Sequence, residues 1–187
     1  MNFTEDWFSH NIGNFESCMA RLPEKKLFLE IGAFEGRATC WLLKNGLSDK
    51  GSIVCIDPFS GSVEHGGIDF AAVESRFWSN TNLAKRTTGQ TVSLMRTTSY
   101  KALAEMIGFK YAFDFIYVDG SHAPDVALTD ACMAWGLLKQ GGVMLFDDYQ
   151  YPHEDTKKGI DAFLSGFEGQ YDLVLSNYQL AIQKNAI

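Results

Sequence analysis

The chain has 187 residues, of which 46% are hydrophobic and 21% charged, and its formal net charge is -7. This length and composition are typical of one globular domain that buries its own core without disulfides or structural metals. The acidic balance argues against a nucleic-acid partner, because it would repel a phosphate backbone. The sequence has neither an apolar run of bilayer length nor a signal peptide, so we expect a cytoplasmic protein with no membrane partner.

The first 24 residues predict a helical segment that precedes the first strand. Phe8, Ile12, Phe15 and Met19 recur on one face at helical spacing, and Pro23 ends the helix. We expect this segment to form part of a single domain that spans residues 1–187.

Seven apolar segments rich in β-forming residues follow, and helical sequence separates most of them. They are KLFLEI, SIVCID, TVSLM, FDFIYVD, GGVMLFD, YDLVLS and YQLAIQ. This alternation is typical of βαβ units. Only SNY separates the last two segments, which suits a hairpin and is too short for a crossover helix. The predicted fold is α/β: a Rossmann-like, seven-stranded, mostly parallel sheet with an antiparallel C-terminal hairpin strand and helices on both faces.

Glycines mark the expected ends of two helices. RATCWLLKN follows the first strand and stops at Gly46, and PDVALTDACMAWGLLKQ stops at Gly141. A late helix is predicted from the apolar stripe of Ile160, Phe163, Leu164 and Phe167. Residues 61–67 form the one loop that the sequence marks as flexible.

The four cysteines are scattered, with no C-x-x-C pair. This spacing indicates neither a zinc site nor a disulfide framework. We expect all of them to be reduced and buried: Cys18, Cys40, Cys55 and Cys132.

The stretch KLFLEIGAFEGRATCWLL is a strand, a glycine turn and a helix, an arrangement that presents backbone N–H groups to a ligand. Its pattern is Glu30-x-Gly32-x-x-x-Gly36. Phe34 stands where a dinucleotide fingerprint has its middle glycine, so a pyrophosphate would meet a bulky side chain. The turn therefore predicts a nucleotide-like cofactor other than a dinucleotide.

The second strand ends in an acid, Asp57, which is placed to accept hydrogen bonds from the two hydroxyls of a ribose. The alternative is a turn residue at a strand end, stabilised by Pro58. The glycine turn upstream favours the ribose.

Two further strands end in acids. FDFIYVD ends at Asp119, and GGVMLF runs into Asp147 and Asp148. Since the carboxyl ends of neighbouring parallel strands converge, we expect the three carboxylates to meet. Adjacent strand residues point to opposite faces, so both acids of the pair reach one ion only if the strand ends by Phe146. Such a cluster suits Mg²⁺, with Ca²⁺ or Mn²⁺ able to substitute; the alternative for the pair is a solvated loop.

His122 lies three residues after Asp119. If the acids hold a metal, His122 is close enough to act as a general base or as an additional ligand. The alternative is a solvated loop histidine, which is the commoner role of a lone histidine.

Three segments resemble the class I S-adenosylmethionine-dependent methyltransferases: LEIGAFEG, IDPF and RTTSYKAL. The resemblance covers the chain from about residue 27 onward, and the inferred strands match the family's seven-stranded sheet. It implies that six residues bind the methionine part, the ribose and the adenine of the cofactor, and that Asp119 lies nearby. The six are Glu30, Gly32, Phe34, Gly36, Asp57 and Ser99. Ser99 also fits an N-cap for a helix beginning at Tyr100. Relatives commonly carry Ser or Thr two residues after the second glycine, where this chain has Ala38 followed by Thr39.

The pattern DGSH…D…W…L…GG…DD resembles the metal-dependent small-molecule O-methyltransferases, the branch that includes catechol and macrolide-sugar enzymes. The resemblance implies Asp119, Asp147 and Asp148 as metal ligands and His122 as the base, where catechol enzymes have lysine. Asp119 and His122 are the expected catalytic pair.

The resemblance implies SN2 transfer of the sulfonium methyl group to a catechol-like or sugar hydroxyl, with vicinal diols favoured. Three alternatives stay open: a metal-independent methyltransferase, an NAD(P)-dependent oxidoreductase and a noncatalytic cofactor-binding module.

Two segments are candidates for covering the substrate: the one with Trp7 and Phe8, and the region from His65 to Trp78. Each could instead pack in the core, and core packing is favoured for Phe8 and Phe77. The acceptor pocket is then open or completed by another subunit of a homo-oligomer.

Overall fold

A central seven-stranded sheet organises the computed structural model, which describes residues 1–61, 68–109, 112–150 and 155–186. The strands are β1 (Leu27–Ile31), β2 (Ser52–Ile56), β3 (Thr91–Met95), β4 (Phe113–Val118), β5 (Leu138–Phe146), β6 (Tyr171–Ser176) and β7 (Leu180–Lys184). The helices are α1 (Ile12–Arg21), α2 (Arg37–Trp41), α3 (Phe70–Ala84), α4 (Ser99–Phe109), α5 (Pro124–Leu137) and α6 (Asp155–Gly166).

The strand order is β3-β2-β1-β4-β5-β7-β6. The pairs among β1 to β5 are parallel, whereas β7 runs antiparallel to both of its neighbours. The predicted fold class, with its antiparallel hairpin strand, is therefore confirmed.

Each face of the sheet buries its own apolar cluster. Helices α1 to α3 pack on one face, and α4 to α6 pack on the other. Strand β4 is buried along its whole length, and its residues alternate between the clusters: Tyr117 faces α1, whereas Val118 faces the α5 side. This two-sided burial explains why the central strands read as continuous apolar runs in the sequence.

The N-terminal segment begins its helix later than the apolar periodicity suggests. A 3-10 turn spans Ser9–Asn11 before α1 starts. Phe8 precedes that turn and is buried in the core, as is Phe77, while Trp7 is 53% exposed. His65 and most of the loop predicted to be flexible lie outside the described residues.

Two sequence predictions are wrong in this part of the fold. Helix α5 ends at Leu137, and β5 begins at once with Leu138, before the glycines that were expected to end the helix. The cause is tertiary, because Leu138 pairs with Phe113 of β4 and is buried. Cys132 is exposed, whereas the other three cysteines are buried and all four are free.

After β1, the helical sequence divides into two parts. Helix α2 is followed directly by a π-helical turn, Leu42–Gly46, so this helical stretch does end at the predicted glycine. None of the helices among the described residues is long and apolar enough to cross a membrane.

Candidate active site

The three predicted acids meet at the carboxyl ends of β4 and β5. Strand β5 ends at Phe146, as the geometry of the pair required. Asp148 then adopts a left-handed backbone conformation with φ of 53°, which a residue cannot adopt within a regular strand. One carboxylate oxygen each of Asp119, Asp147 and Asp148 lies within 4.8 Å of the others. The structure thus brings together the residues predicted as metal ligands.

Tyr117 lies between two of these carboxylates. Its hydroxyl is 3.1 Å from Oδ2 of Asp119 and 2.5 Å from Oδ2 of Asp147. A phenol has one proton, so it donates to one carboxylate at a time. Burial, together with the charges of Asp147 and Asp148, raises the pKa of Asp119, and burial also raises that of Asp147. A cation held between the oxygens would relieve this repulsion.

Asp148 has hydrogen-bond partners that stabilise its charged form. Nε2 of His122 lies 2.7 Å from its Oδ2, and the hydroxyl of Tyr178 donates to its Oδ1. Burial raises the pKa of Asp148, but the hydrogen bonds from His122 and Tyr178 outweigh burial and leave it below its usual value. The His122 ring is therefore held beside the acids. Among the described residues, the group that could hold a metal ion consists of the three aspartates and does not include His122.

The turn between β6 and β7 contributes site residues that sequence reasoning missed. Besides Tyr178, it carries Gln179, whose Nε2 donates to Oδ1 of Asp147 at 2.9 Å. Because β7 is antiparallel to β5, its first residue, Leu180, pairs with Phe146 at the strand tip. The polar residues NYQ at the predicted hairpin were the available signal for these site residues, because the hairpin was expected beside a strand that ends in two acids.

The glycine turn uses its amides within the protein, contrary to the expectation that they face a ligand. Gly32 donates to a β2 carbonyl at 2.9 Å, and Gly36 donates to the carbonyl of Ala33 at 2.7 Å. The amides of Ala33 and Phe34 donate to Oδ2 of Asp57 at 3.0 and 2.8 Å. Since a pyrophosphate site needs such amides for the ligand, the turn disfavours a dinucleotide. S-adenosylmethionine has no phosphate and does not need them.

Asp57 stabilises the glycine turn by accepting hydrogen bonds from its backbone. Its Oδ1 accepts from the amide of Phe59 at 2.7 Å, so the alternative role as a turn residue is present in the structure. Oδ2 already accepts two amides, which fills its acceptor capacity. A ribose hydroxyl would therefore bind Oδ1, and ribose binding stays a prediction.

The N-terminal segment lies over the glycine turn. The ring of Trp7 is 5.2 Å from that of Phe34, which has φ of 44°. The amide and hydroxyl of Thr4 donate to the buried carboxylate of Glu35 at 2.7 and 2.8 Å. Nε of Arg37 donates to a backbone carbonyl of the segment at 2.9 Å. Trp7 thus covers part of the glycine turn.

Ser99 is the first residue of α4, so the alternative of an N-cap before Tyr100 is wrong by one residue. Its hydroxyl donates to the carboxylate of Asp130 on α5, and burial raises the pKa of Asp130 to about 6. A Cβ on Gly120, just after β4, would lie 3.3 Å from Asp130 Oδ2. Ser99 therefore lies near the loop that leads to His122.

Glu30 lies beneath the glycine turn and is 1% exposed. The Thr39 hydroxyl donates to its Oε2 at 2.5 Å, and the Cys55 thiol donates to the same oxygen at 3.7 Å. Thr39 is fully buried, so its hydroxyl serves Glu30 and does not replace the hydroxyl that relatives have in place of Ala38.

Glu30→Gln is expected to make stability less dependent on pH. Burial raises the pKa of Glu30 from 4.5 to about 8, so the folded state holds this proton between those values while the unfolded state does not. The free energy of unfolding of the wild type therefore falls as pH rises through this range, by an amount on the order of a few kcal/mol. Gln does not titrate, so the free energy of unfolding of the variant should rise relative to that of the wild type between about pH 5 and pH 8.

Urea unfolding at several pH values measures this difference. Glu24→Gln, which changes an exposed glutamate, serves as the control. Parallel stability profiles for the Glu30→Gln variant and the wild type would contradict the prediction.

Similarity to known proteins places this site in a family. The family model for a methyltransferase domain matches residues 29–149, which include the glycine turn and all three aspartates. No curated protein matches the chain at a significant level.

Solved structures share the fold at low sequence identity. A protein from Corynebacterium glutamicum has 17% identity and a TM-score of 0.66, covering 94% of this chain and 81% of its own. A protein from Clostridium thermocellum described as a candidate rRNA methylase has 14% identity and a TM-score of 0.66, covering 94% and 96%. CalS11, a TDP-rhamnose 3′-O-methyltransferase of calicheamicin biosynthesis, has 16% identity and a TM-score of 0.60, covering 94% and 80%. The matched model spans more than half of the chain, so the chain belongs to the methyltransferase-domain family and is an S-adenosylmethionine-dependent methyltransferase.

Proposed function

We propose that this enzyme transfers a methyl group from S-adenosylmethionine to a hydroxyl of a small molecule, with a divalent cation in the site. The observation that carries the proposal is the cluster of three aspartates, which offers oxygens within 4.8 Å of one another beside His122. The cluster lies next to the glycine turn, because Asp119 follows β4 and its backbone borders Gly32. Donor and acceptor can therefore meet at this edge of the sheet.

The donor set fits Mg²⁺. All three candidate ligands are carboxylates, and hard divalent cations prefer oxygen ligands. Asp119, Asp147 and Asp148 would hold the ion, and their mutual repulsion is the physical reason to bind one. When bound, the cation lowers the pKa of a substrate hydroxyl and orients it.

His122 would act as the general base. Its ring is fixed by the contact with Asp148 and is 31% exposed, so it can face a substrate at the mouth of the site. The ring takes the hydroxyl proton, the substrate oxygen forms a bond to the methyl carbon, and the carbon–sulfur bond breaks to leave S-adenosylhomocysteine. Holding oxygen and carbon about 3 to 3.5 Å apart supplies much of the acceleration.

The cofactor would lie across the glycine turn. The methionine part borders Gly32, Phe34 and Gly36 above the buried Glu30, and Oδ1 of Asp57 binds a ribose hydroxyl. Ser99, at the start of α4, would mark the adenine side.

The acceptor class we propose is a catechol-like or sugar compound with neighbouring hydroxyls. The net charge of -7 favours a small molecule over a nucleic acid, and a sugar O-methyltransferase stands among the structural neighbours beside the candidate rRNA methylase. The cover of the acceptor would come from the N-terminal segment, with a second subunit completing it in a homo-oligomer.

Mass spectrometry of a polyphenol and glycoside panel tests the proposal. The protein is incubated with S-adenosylmethionine, with and without Mg²⁺, and product masses are recorded. Methylated diols that form only with the metal would support it. Methylation that is unchanged by a chelator would replace the metal-dependent reaction with a metal-independent one.

A further inference from the structure

Gln179 is one of two uncharged side chains that contact the acid cluster from the β6–β7 turn, and it is the one that binds Asp147. It is fully buried, and both ends of its amide are used: Nε2 donates to Asp147 at 2.9 Å, and Oε1 accepts from Nδ2 of Asn14 at 3.0 Å. Its backbone amide donates to Oδ1 of Asn177 at 3.0 Å. The side chain is thus fixed in one orientation, with its donor directed at the cluster.

The bond from Gln179 decides which oxygen of Asp147 can bind a metal. Oδ1 of Asp147 accepts from Gln179 and also from the backbone amide of Asp148 at 3.0 Å. A carboxylate oxygen has two lone-pair sites, so Oδ1 is fully used. Oδ2 accepts from the hydroxyl of Tyr117 at 2.5 Å and keeps its second site. Asp147 can therefore offer a cation one oxygen, Oδ2.

One-oxygen binding suits some ions better than others. Mg²⁺ requires near-octahedral coordination at about 2.0 to 2.1 Å, whereas Ca²⁺ takes about 6 to 8 oxygens at 2.3 to 2.6 Å and readily binds both oxygens of a carboxylate. We propose that Gln179 is a positioning residue that restricts Asp147 to one metal-binding oxygen and thereby makes the site favour Mg²⁺ over Ca²⁺. This proposal rests on the proposed function, since it requires a divalent cation at the aspartates.

Helix α1 stabilises this arrangement. Asn14 donates to Gln179 and to Oδ1 of Asn177, at 3.0 and 3.1 Å, and accepts from Nδ2 of Asn177 at 3.0 Å. The N-terminal helix thereby holds the turn that holds Asp147. Loss of Asn14 would loosen Gln179 without touching a carboxylate.

Gln179→Met tests the proposal, because methionine has a similar length and cannot donate. Isothermal titration of the full chain with Mg²⁺ alone and with Ca²⁺ alone gives both affinities. We expect Mg²⁺ binding to weaken about 10- to 100-fold, as for other residues that orient metal ligands. Ca²⁺ binding should change by less than about threefold, because Oδ1 is released for two-oxygen binding. The preference for Mg²⁺ then falls at least about threefold.

Gln90→Met is the matched control. Gln90 is also buried and its amide donates to the carbonyls of Leu43 and Ser48, at 2.9 and 3.2 Å, at the opposite end of the sheet before β3. This variant should lose stability while it keeps both metal affinities. Asn14→Ala should shift the metal preference in the same direction as Gln179→Met, by a smaller factor.

The outcomes separate the two proposals. A wild-type protein that binds neither ion would contradict the metal in the proposed function. A wild-type protein that binds Mg²⁺, with an unchanged Mg²⁺ to Ca²⁺ ratio in Gln179→Met, would overturn the role of Gln179 alone. If Gln179→Met does not fold, the ratio in Asn14→Ala decides: a shift towards Ca²⁺ supports the role, and no shift overturns it.

Discussion

Gly32→Ala is expected to cause the largest loss of stability of any single methyl group added to this chain's glycine turn. A Cβ at this position would lie 1.7 Å from the carbonyl oxygen of Asp119, which is backbone and cannot rotate away. The φ of Gly32 is also +85°, a conformation that alanine adopts only with strain. Relief of the clash would require β1 and β4 to separate where the amide of Asp119 donates to the carbonyl of Ile31 at 2.8 Å.

The same substitution should disturb both halves of the active site, because Gly32 borders the cofactor while Asp119 is a candidate metal ligand. We expect a loss of more than about 4 kcal/mol in the free energy of unfolding, the range of the most disruptive point substitutions. Any folded fraction should bind S-adenosylhomocysteine and Mg²⁺ poorly. Urea unfolding measures the stability, and calorimetric titration measures the two ligands.

Gly141→Ala is the control that measures the backbone strain without the clash. Gly141 has φ of +75°, but a Cβ there would have no atom within 4 Å. It should lose about 1 to 2 kcal/mol, the cost of a left-handed conformation in an L-residue. Equal losses for Gly32→Ala and Gly141→Ala would show that the approach of Asp119 has no energetic weight.

The acid cluster could be predicted from the sequence because it depends on rules that act within one strand or between neighbours. Apolar runs fixed β4 and β5, and the parallel arrangement placed their carboxyl ends together. The requirement that both Asp147 and Asp148 reach one point predicted the end of β5 at Phe146. Each step needs only the strand period and the sheet direction.

The hydrogen-bonded surroundings of the site could not be predicted in this way. The amides of Ala33 and Phe34 donate to Asp57 because β1 and β2 are neighbours, and the hydroxyl of Thr39 donates to Glu30 because α2 packs on β1. Gln179 reaches Asp147 from 32 residues away in the chain. A local pattern can mark such a residue as polar, but it does not identify the distant partner, which depends on side-chain packing.

The end of α5 shows the same limit within the backbone. Leu137 and Leu138 are adjacent apolar residues that suit either a helix or a strand, and the later glycines gave a plausible helix end. Pairing of Leu138 with Phe113 decided for the strand. Tertiary contacts thus overrode the local signal.

Asp119→Asn is expected to abolish activity while it stabilises the metal-free protein. The pKa of Asp119 is raised by burial and by the charges of Asp147 and Asp148, so its charge opposes folding at neutral pH. An amide removes that charge at the same size. In a chelator, the variant should therefore show a higher free energy of unfolding than the wild type.

With excess Mg²⁺ the order should reverse. A ligand that binds only the folded state stabilises it by about 2.7 kcal/mol at 100 times its dissociation constant, and only the wild type keeps the full ligand set. The ratio kcat/KM of the variant should fall by at least about 100-fold, because even residues that merely orient metal ligands cost about 10- to 100-fold. Thermal or urea unfolding with and without Mg²⁺, beside methyl-transfer assays, records both effects.

Asp172→Asn on β6 is the control for charge alone. Asp172 is exposed, so its loss should leave the response to Mg²⁺ and the activity unchanged. An Asp119→Asn protein that Mg²⁺ stabilises as much as the wild type would show that the ion does not need this carboxylate. The gain in stability at Asp119 is therefore expected only in the metal-free protein, because the like charges that a cation requires are the ones that oppose folding without it.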